Sequence, residues 1–116
     1  MEELDALAED VKKQFNLEYD EPSVKFIEGF IERQRDRFEG EQLQGLVNAV
    51  GSFLGMCLIK NYGGQWALDN NYNAVCVVFS NGNKAFPFAK THKQFENGLE
   101  DSVYSFYTAI PSVFRL

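Results

Sequence analysis

Apolar residues at spacings of three and four open the chain. Leu4, Leu7, Ala8, Val11 and Phe15 recur with charges between them, which predicts an amphipathic helix over about residues 2 to 16. Asn16-Leu17-Glu18-Tyr19-Asp20 interrupts the pattern, and Glu21-Pro22 starts a second helix, because proline's missing N–H costs nothing in a first turn. Its apolar stripe is Val24, Ile27, Phe30, Ile31 and Phe38, and Glu39-Gly40 is the expected stop. A third helix, from about Glu41 to Tyr62, is apolar nearly all round its middle, with Leu43, Leu46, Val47, Val50, Phe53, Leu54, Cys57 and Leu58. A helix of that kind belongs at the centre of a core. Gly45, Ala49, Gly51, Ser52 and Gly55 recur along it. Each glycine costs up to about 1 kcal/mol of helix propensity relative to alanine, so close packing is the expected compensation.

Gly63-Gly64 stops that helix, and the period changes from 3.6 to about 2. Gln65-Trp66-Ala67-Leu68 reads as a short strand, Asp69-Asn70-Asn71 as a turn, and Asn73 to Phe79 as a β-branched central strand. Ser80-Asn81-Gly82-Asn83 contains the Asn-Gly pair, whose two residues accept positive φ and match the twist of paired strands. Lys84 to Phe88 is then the returning strand, with Pro87 marking it as an edge. On the central strand Ala74, Cys76 and Val78 alternate with Val75, Val77 and Phe79, so both faces call for cover, the second by the C-terminal segment or by another chain. Beyond the sheet, Thr91 to Gly98 reads as a short helix. Glu100-Asp101-Ser102 begins another, with the stripe Val103, Phe106, Tyr107 and Ile110, before Pro111 breaks it. The expected fold is therefore α+β: three N-terminal helices, a three-stranded antiparallel meander, then one or two C-terminal helices. At 116 residues, one domain is the default.

Composition agrees with a folded globule, at 45% apolar and 24% charged, and its 11 phenylalanines fill a small core with few residues. Charge is placed unevenly. Residues 1 to 41 carry 13 Asp and Glu against 6 Lys and Arg, a balance of −7, and the remainder carries 4 against 5, a balance of +1. Such a field repels nucleic acid and anionic lipid and speeds encounter with a basic protein. The acidic start Met1-Glu2-Glu3-Leu4-Asp5 is unlike a secretory signal, so a cytoplasmic location is expected. The stretch from Leu43 to Ile59, broken by Gln44, Asn48 and Ser52, falls short of the roughly 20 residues that cross a bilayer, so no membrane association is expected.

The inventory excludes much enzyme chemistry. His92 is the only histidine, so a catalytic triad and a two-histidine metal site are both ruled out. Cys57 and Cys76 lie in apolar surroundings outside any Cys-x-x-Cys pattern, and no serine sits in a nucleophile elbow. No metal, cofactor or catalytic residue is expected. Lys90, His92 and Lys93, at the predicted junction of strand and helix, form a candidate anion site. Glu28, Glu32 and Asp36 recur every four residues on the second helix, a carboxylate row alternating with Arg33, Arg35 and Arg37 at pairing distance. Trp66 and Tyr72, with Tyr62 and the neighbouring Asn70, Asn71 and Asn73, combine aromatic area with adaptable hydrogen bonding, as binding surfaces do.

A helical half, then Ile59-Lys60-Asn61-Tyr62-Gly63-Gly64-Gln65-Trp66, then a meander through Phe86-Pro87-Phe88 and a final helix resembles small bacterial domains of unknown function, some similar to immunity proteins of toxin systems. The resemblance covers roughly residues 40 to 110. It implies a cytosolic, non-enzymatic protein that binds another protein, an immunity-type inhibitor of a basic toxin being one form. Glu28, Glu32, Asp36, Trp66 and Tyr72 are the expected contacts. Two alternatives remain open at this point: a small-ligand or enzymatic domain with an anion near Lys90, His92 and Lys93, and a self-associating subunit that buries a sheet face against a second copy.

Overall fold

In the computed structural model, which describes residues 1–116, three helices lead into a meander and two helices follow it. They are α1 (Glu2–Phe15), α2 (Glu21–Gln34), α3 (Gly40–Tyr62), β1 (Gln65–Asp69), β2 (Ala74–Val78), β3 (Lys84–Ala85), α4 (Pro87–Asn97) and α5 (Val103–Val113), with a 3-10 turn at Gly98–Asp101. The sheet is antiparallel in the order β1-β2-β3, with Trp66 opposite Val77 and Val77 opposite Ala85. The fold is α+β, with the meander between the helical halves.

Local chemistry sets most boundaries. Glu2, Glu3 and Asp5 occupy the first turn of α1 and Lys12 and Lys13 its last, each sign at the helix end that favours it. Asp20 caps α2 by accepting the Ser23 N–H at 3.0 Å, and Ser102 caps α5 by accepting the Ser105 N–H at 3.0 Å.

Three boundaries differ from the periodicity. First, α2 ends at Gln34, short of Phe38. Arg35 leaves the helix with ψ 139° and donates from Nε to the Phe95 carbonyl and from Nη2 to the Glu96 carbonyl, both at 3.2 Å. These carbonyls lie in the last turn of α4, where a cation meets unpaired acceptors and the negative end of the helix dipole. Second, the returning strand is only Lys84–Ala85, and Pro87 opens α4 instead of marking a sheet edge. Proline's lack of an N–H suits both roles equally, and packing of the neighbouring Phe88 on α3 selects the helix. Third, α5 continues through Pro111 to Val113. Proline stands there in the last turn, where one missing hydrogen bond is tolerated.

The core is one cluster in which Val47, Val50, Phe53, Leu54, Cys57 and Leu58 of α3 meet Val24, Ile27 and Ile31 of α2, Val77 of the sheet, Phe95 of α4 and Tyr107 of α5. By length and composition alone α3 is apolar enough to cross a membrane, its 23 residues exceeding the interrupted stretch read from the sequence. Its glycines take aromatic rings. A Cβ on Gly51 would lie 2.5 Å from Phe88 Cδ1 and 3.2 Å from Phe88 Cα, and one on Gly55 would overlap the six-membered ring of Trp66. The two rings stack on each other at 5.8 Å between centroids.

Strand alternation puts Trp66, Val77, Phe79 and Ala85 on the face towards the helices, and Phe79 also meets Phe114 of the C-terminal segment edge to face at 5.7 Å. On the other face Lys84 Nζ reaches across β2 to Asp69 Oδ2 at 2.9 Å, and Cys76, between them on the middle strand, is fully buried. An ion pair with its aliphatic stem closes this part of the face.

Gly55→Ala is expected to destabilise the fold by about 1 to 3 kcal/mol, the ordinary cost of overpacking. Gly45→Ala on the same helix, with open space where its Cβ would stand, should instead stabilise it by up to about 1 kcal/mol. Urea unfolding of the two variants reads both signs.

Candidate functional site

The carboxylate row of the second helix does not survive folding as a row. Asp36 lies beyond the end of α2 with φ 65°, off the face that carries Glu28 and Glu32, which corrects the four-residue stacking. Glu28 is only 9% exposed. Its Oε1 accepts from Lys25 Nζ at 2.8 Å, and its Oε2 accepts a short hydrogen bond from Ser102 Oγ. Glu32 Oε2 accepts from Gln94 Nε2 at 2.9 Å, and its Oε1 lies 3.7 Å from Arg35 Nη1. Of the three arginines, only Arg35 pairs with the row.

Gln94 is the centre of this polar core. Fully buried on α4, it donates to the Glu28 carbonyl at 3.0 Å as well as to Glu32, and its Oε1 accepts the Val103 N–H at 2.9 Å. One side chain thereby joins α2, α4 and the start of α5. Burial works to raise the Glu28 carboxyl, and the Lys25 and Ser102 hydrogen bonds outweigh it, holding the group below the usual carboxylate range. The Lys84 ammonium and the Tyr72 N–H do the same for Asp69, and Asn97 and Lys90 for Asp101.

The aromatic pair divides. Trp66 is half-buried in its stack on Phe88, and its Nε1–H donates to Asp5 Oδ1 at 3.1 Å, tying β1 to the first turn of α1. Tyr72 stands 75% exposed in the β1–β2 turn, its ring edge-on to Phe86 at 5.6 Å. Asp69 Oδ1 holds that turn by accepting the Tyr72 N–H at 3.0 Å.

Beside Tyr72 lies a surface that sequence periodicity did not identify. A groove of about 380 Å³ is lined by Leu4 and Leu7 of α1, Ala74 and Val75 of β2, and Phe86, Phe88 and Ala89 at the start of α4, with Asn48 as its polar wall. A second depression of about 510 Å³ continues from it over Tyr72, Phe86 and Ala89 to Lys93. Leu4 and Leu7 read as core stripe and Phe86 and Phe88 as strand. The only advance signal was the aromatic pair flanking Pro87, whose meaning depended on which element the proline opened. The groove exists because β3 stops at Ala85, leaving β2 uncovered from Ala74 to Val75 where α4 turns away.

The basic cluster lies within α4, after its first turn, and not at a strand-to-helix junction. Lys90 Nζ is 3.1 Å from Asp101 Oδ1, and His92 Nδ1 is 2.6 Å from Glu96 Oε1. Lys93 is exposed, has no ion pair and borders the apolar depression. Burial raises both thiols, Cys57 strongly, so they are protonated and poorly nucleophilic at neutral pH. No three His, Cys, Asp or Glu side chains converge on one point.

Because the folded-state pKa values of Glu28, Asp69 and Asp101 are depressed, their contribution to stability is present above the unfolded carboxylate values and is lost as pH falls through the folded ones. Thermal midpoints should therefore drop progressively below about pH 4. Glu28→Gln should flatten that acid limb in part, because it removes one of the three titrating groups. Gln94→Ala, which strands the partners of its amide on α2 and at the start of α5, is expected to cost about 1 to 3 kcal/mol in denaturant unfolding.

Compared with protein-family models, with curated proteins and with solved structures, the chain matches none.

Proposed function

We propose that the protein is a non-enzymatic protein-binding module, in its most specific form an immunity-type inhibitor that holds a basic toxin. The observation that carries this reading is the apolar groove with Tyr72 exposed at its rim. Its walls contain no acid, base or nucleophile except the distant Lys93, and they offer shape and apolar area to an inserted side chain. Leu4 and Leu7 belong to the same turns of α1 as Glu2, Glu3 and Asp5, so carboxylates flank the apolar wall. A partner that fits presents an aliphatic or aromatic anchor with lysine or arginine beside it. Of the residues expected as contacts, Tyr72 and Asp36 offer free surface, whereas Glu28 and Glu32 are engaged by Ser102 and Gln94 and Trp66 is half-buried in its stack on Phe88.

Immobilised protein incubated with host lysate should retain a stoichiometric basic partner at low salt and release it at high salt, since exposed charges are screened within about 10 Å at 0.1 M. Tyr72→Ala should weaken capture about tenfold or more, as loss of an interfacial tyrosine anchor commonly does. Reversal of Glu2 and Glu3 to lysine should weaken it further and remove most of the salt dependence. Capture of nothing, or of a partner indifferent to all three substitutions, rejects the reading.

A second reading is favoured by one observation, the unpaired Lys93 beside apolar walls. An amphipathic anion such as a medium-chain alkyl carboxylate would lie along Phe86 and Ala89 with its headgroup on that ammonium. Such a compound should raise the thermal midpoint of the wild type and leave that of Lys93→Ala unchanged. An equal shift in both, or none in either, disposes of it.

A further inference from the structure

The outer edge of β1 carries an inference independent of the groove. Phe79 N–H donates to the Asn83 carbonyl at 2.9 Å across the hairpin, so Phe79, Val77 and Val75 direct their peptide groups towards β3. Val78, Cys76 and Ala74 then direct theirs towards β1, where the register sets them opposite Gln65, Ala67 and Asp69. Trp66 and Leu68 are left with N–H and C=O pointing away from the sheet. β1 is an outer strand, and no turn, loop or side-chain hydrogen bond reaches those groups, the only bond of Trp66 being made by its indole. The strand has no lysine, proline or bulge of the kind that ordinarily blunts an edge. Leu68, 54% exposed, adds an unsheltered apolar side chain.

The geometry points to a second copy of this chain as the occupant: β1 pairs antiparallel with β1 about a two-fold axis through Ala67, extending the sheet across the dimer. The free groups sit symmetrically about Ala67, so that axis sets Trp66 opposite Leu68 of the second copy and Leu68 opposite its Trp66. Both free donors and both free acceptors of each edge are satisfied in one register. The side chains agree with it. On the helix-facing side each exposed Leu68 meets the half-buried indole of the other copy, an aromatic–aliphatic cross-strand pair. On the opposite side Ala67 faces Ala67, and Gln65 faces Asp69, whose charge its own Lys84 already neutralises. No like charges meet. A five-residue edge gives an interface at the small, reversible end of the range.

Sedimentation velocity of the full chain should show a monomer–dimer equilibrium that moves to dimer with concentration. Leu68→Pro removes an outward N–H without touching the bonds between β1 and β2, and it should give a monomer with an unchanged circular dichroism spectrum. A register test stands apart from that variant's folding. In a Cys76→Ala background, Ala67→Cys should oxidise to a covalent dimer reversed by thiol, because directly opposed non-hydrogen-bonded residues lie about 4.5 Å apart at Cα, within disulfide range. Gln65→Cys, opposite Asp69 in that register, should cross-link far less. A wild-type chain that stays monomeric throughout overturns the proposal, as does a dimer that survives Leu68→Pro in folded protein, or equal cross-linking at positions 65 and 67.

Discussion

Gly51 and Gly55 lie one turn apart on α3, and the two rings set against them, Phe88 and Trp66, decide where everything C-terminal to that helix is placed. The rings come from different elements, one from the opening of α4 and one from β1. A side chain at either glycine would hold its ring off the helix, so the sheet and α4 approach α3 only because both positions lack a Cβ. The glycines weaken α3 as an isolated helix by up to about 1 kcal/mol each. Burial of two aromatic side chains at about 1.5 to 3 kcal/mol each outweighs that loss before conformational entropy is counted. The same seating pulls the chain into α4 after Ala85, ends β3 after two residues, and so opens the groove beneath Phe86.

A second constraint acts on the opposite flank. Gln94 spans α2, α4 and the start of α5 with one amide, and Glu28, Ser102 and Lys25 extend the network to the surface. A buried carboxylate persists only with such partners. Its presence moves acidic residues of α2 from the solvent surface into the scaffold. The acidic field of the first 41 residues is therefore expressed mainly by the N-terminal turn of α1 and by the loops that flank α2. Of that charge, the part on Glu2, Glu3 and Asp5 lies beside the groove, on the turns of α1 that also carry Leu4 and Leu7.

Much of the architecture was legible in the sequence. Hydrophobic periodicity separates the three N-terminal helices, Gly63-Gly64 and Asn81-Gly82 mark where helix gives way to strand and strand turns back, and the nearly all-apolar middle of α3 identifies the core helix. These features are local: each depends on side-chain spacing or on backbone conformations that few residue types adopt. The turn that precedes Tyr72 was legible for the same reason, because Asp69-Asn70-Asn71 is set by nearby residues, whereas the exposure of the Tyr72 ring was not.

Tertiary contacts decided the rest. Whether Pro87 closes a strand or opens a helix is undetermined by proline itself, and the seat for Phe88 on Gly51 settles it. The end of α2 depends on Arg35 finding the carbonyls of Phe95 and Glu96, sixty residues further along. Glu28 and Glu32 look like a solvent-facing row until Ser102 and Gln94 arrive from the C-terminal half. The sequence by itself determined the order and type of nearly every element, because those follow from interactions within a few residues. Only the tertiary structure decided which carboxylates are internal and where the apolar groove opens, because each depends on groups brought together from distant parts of the chain.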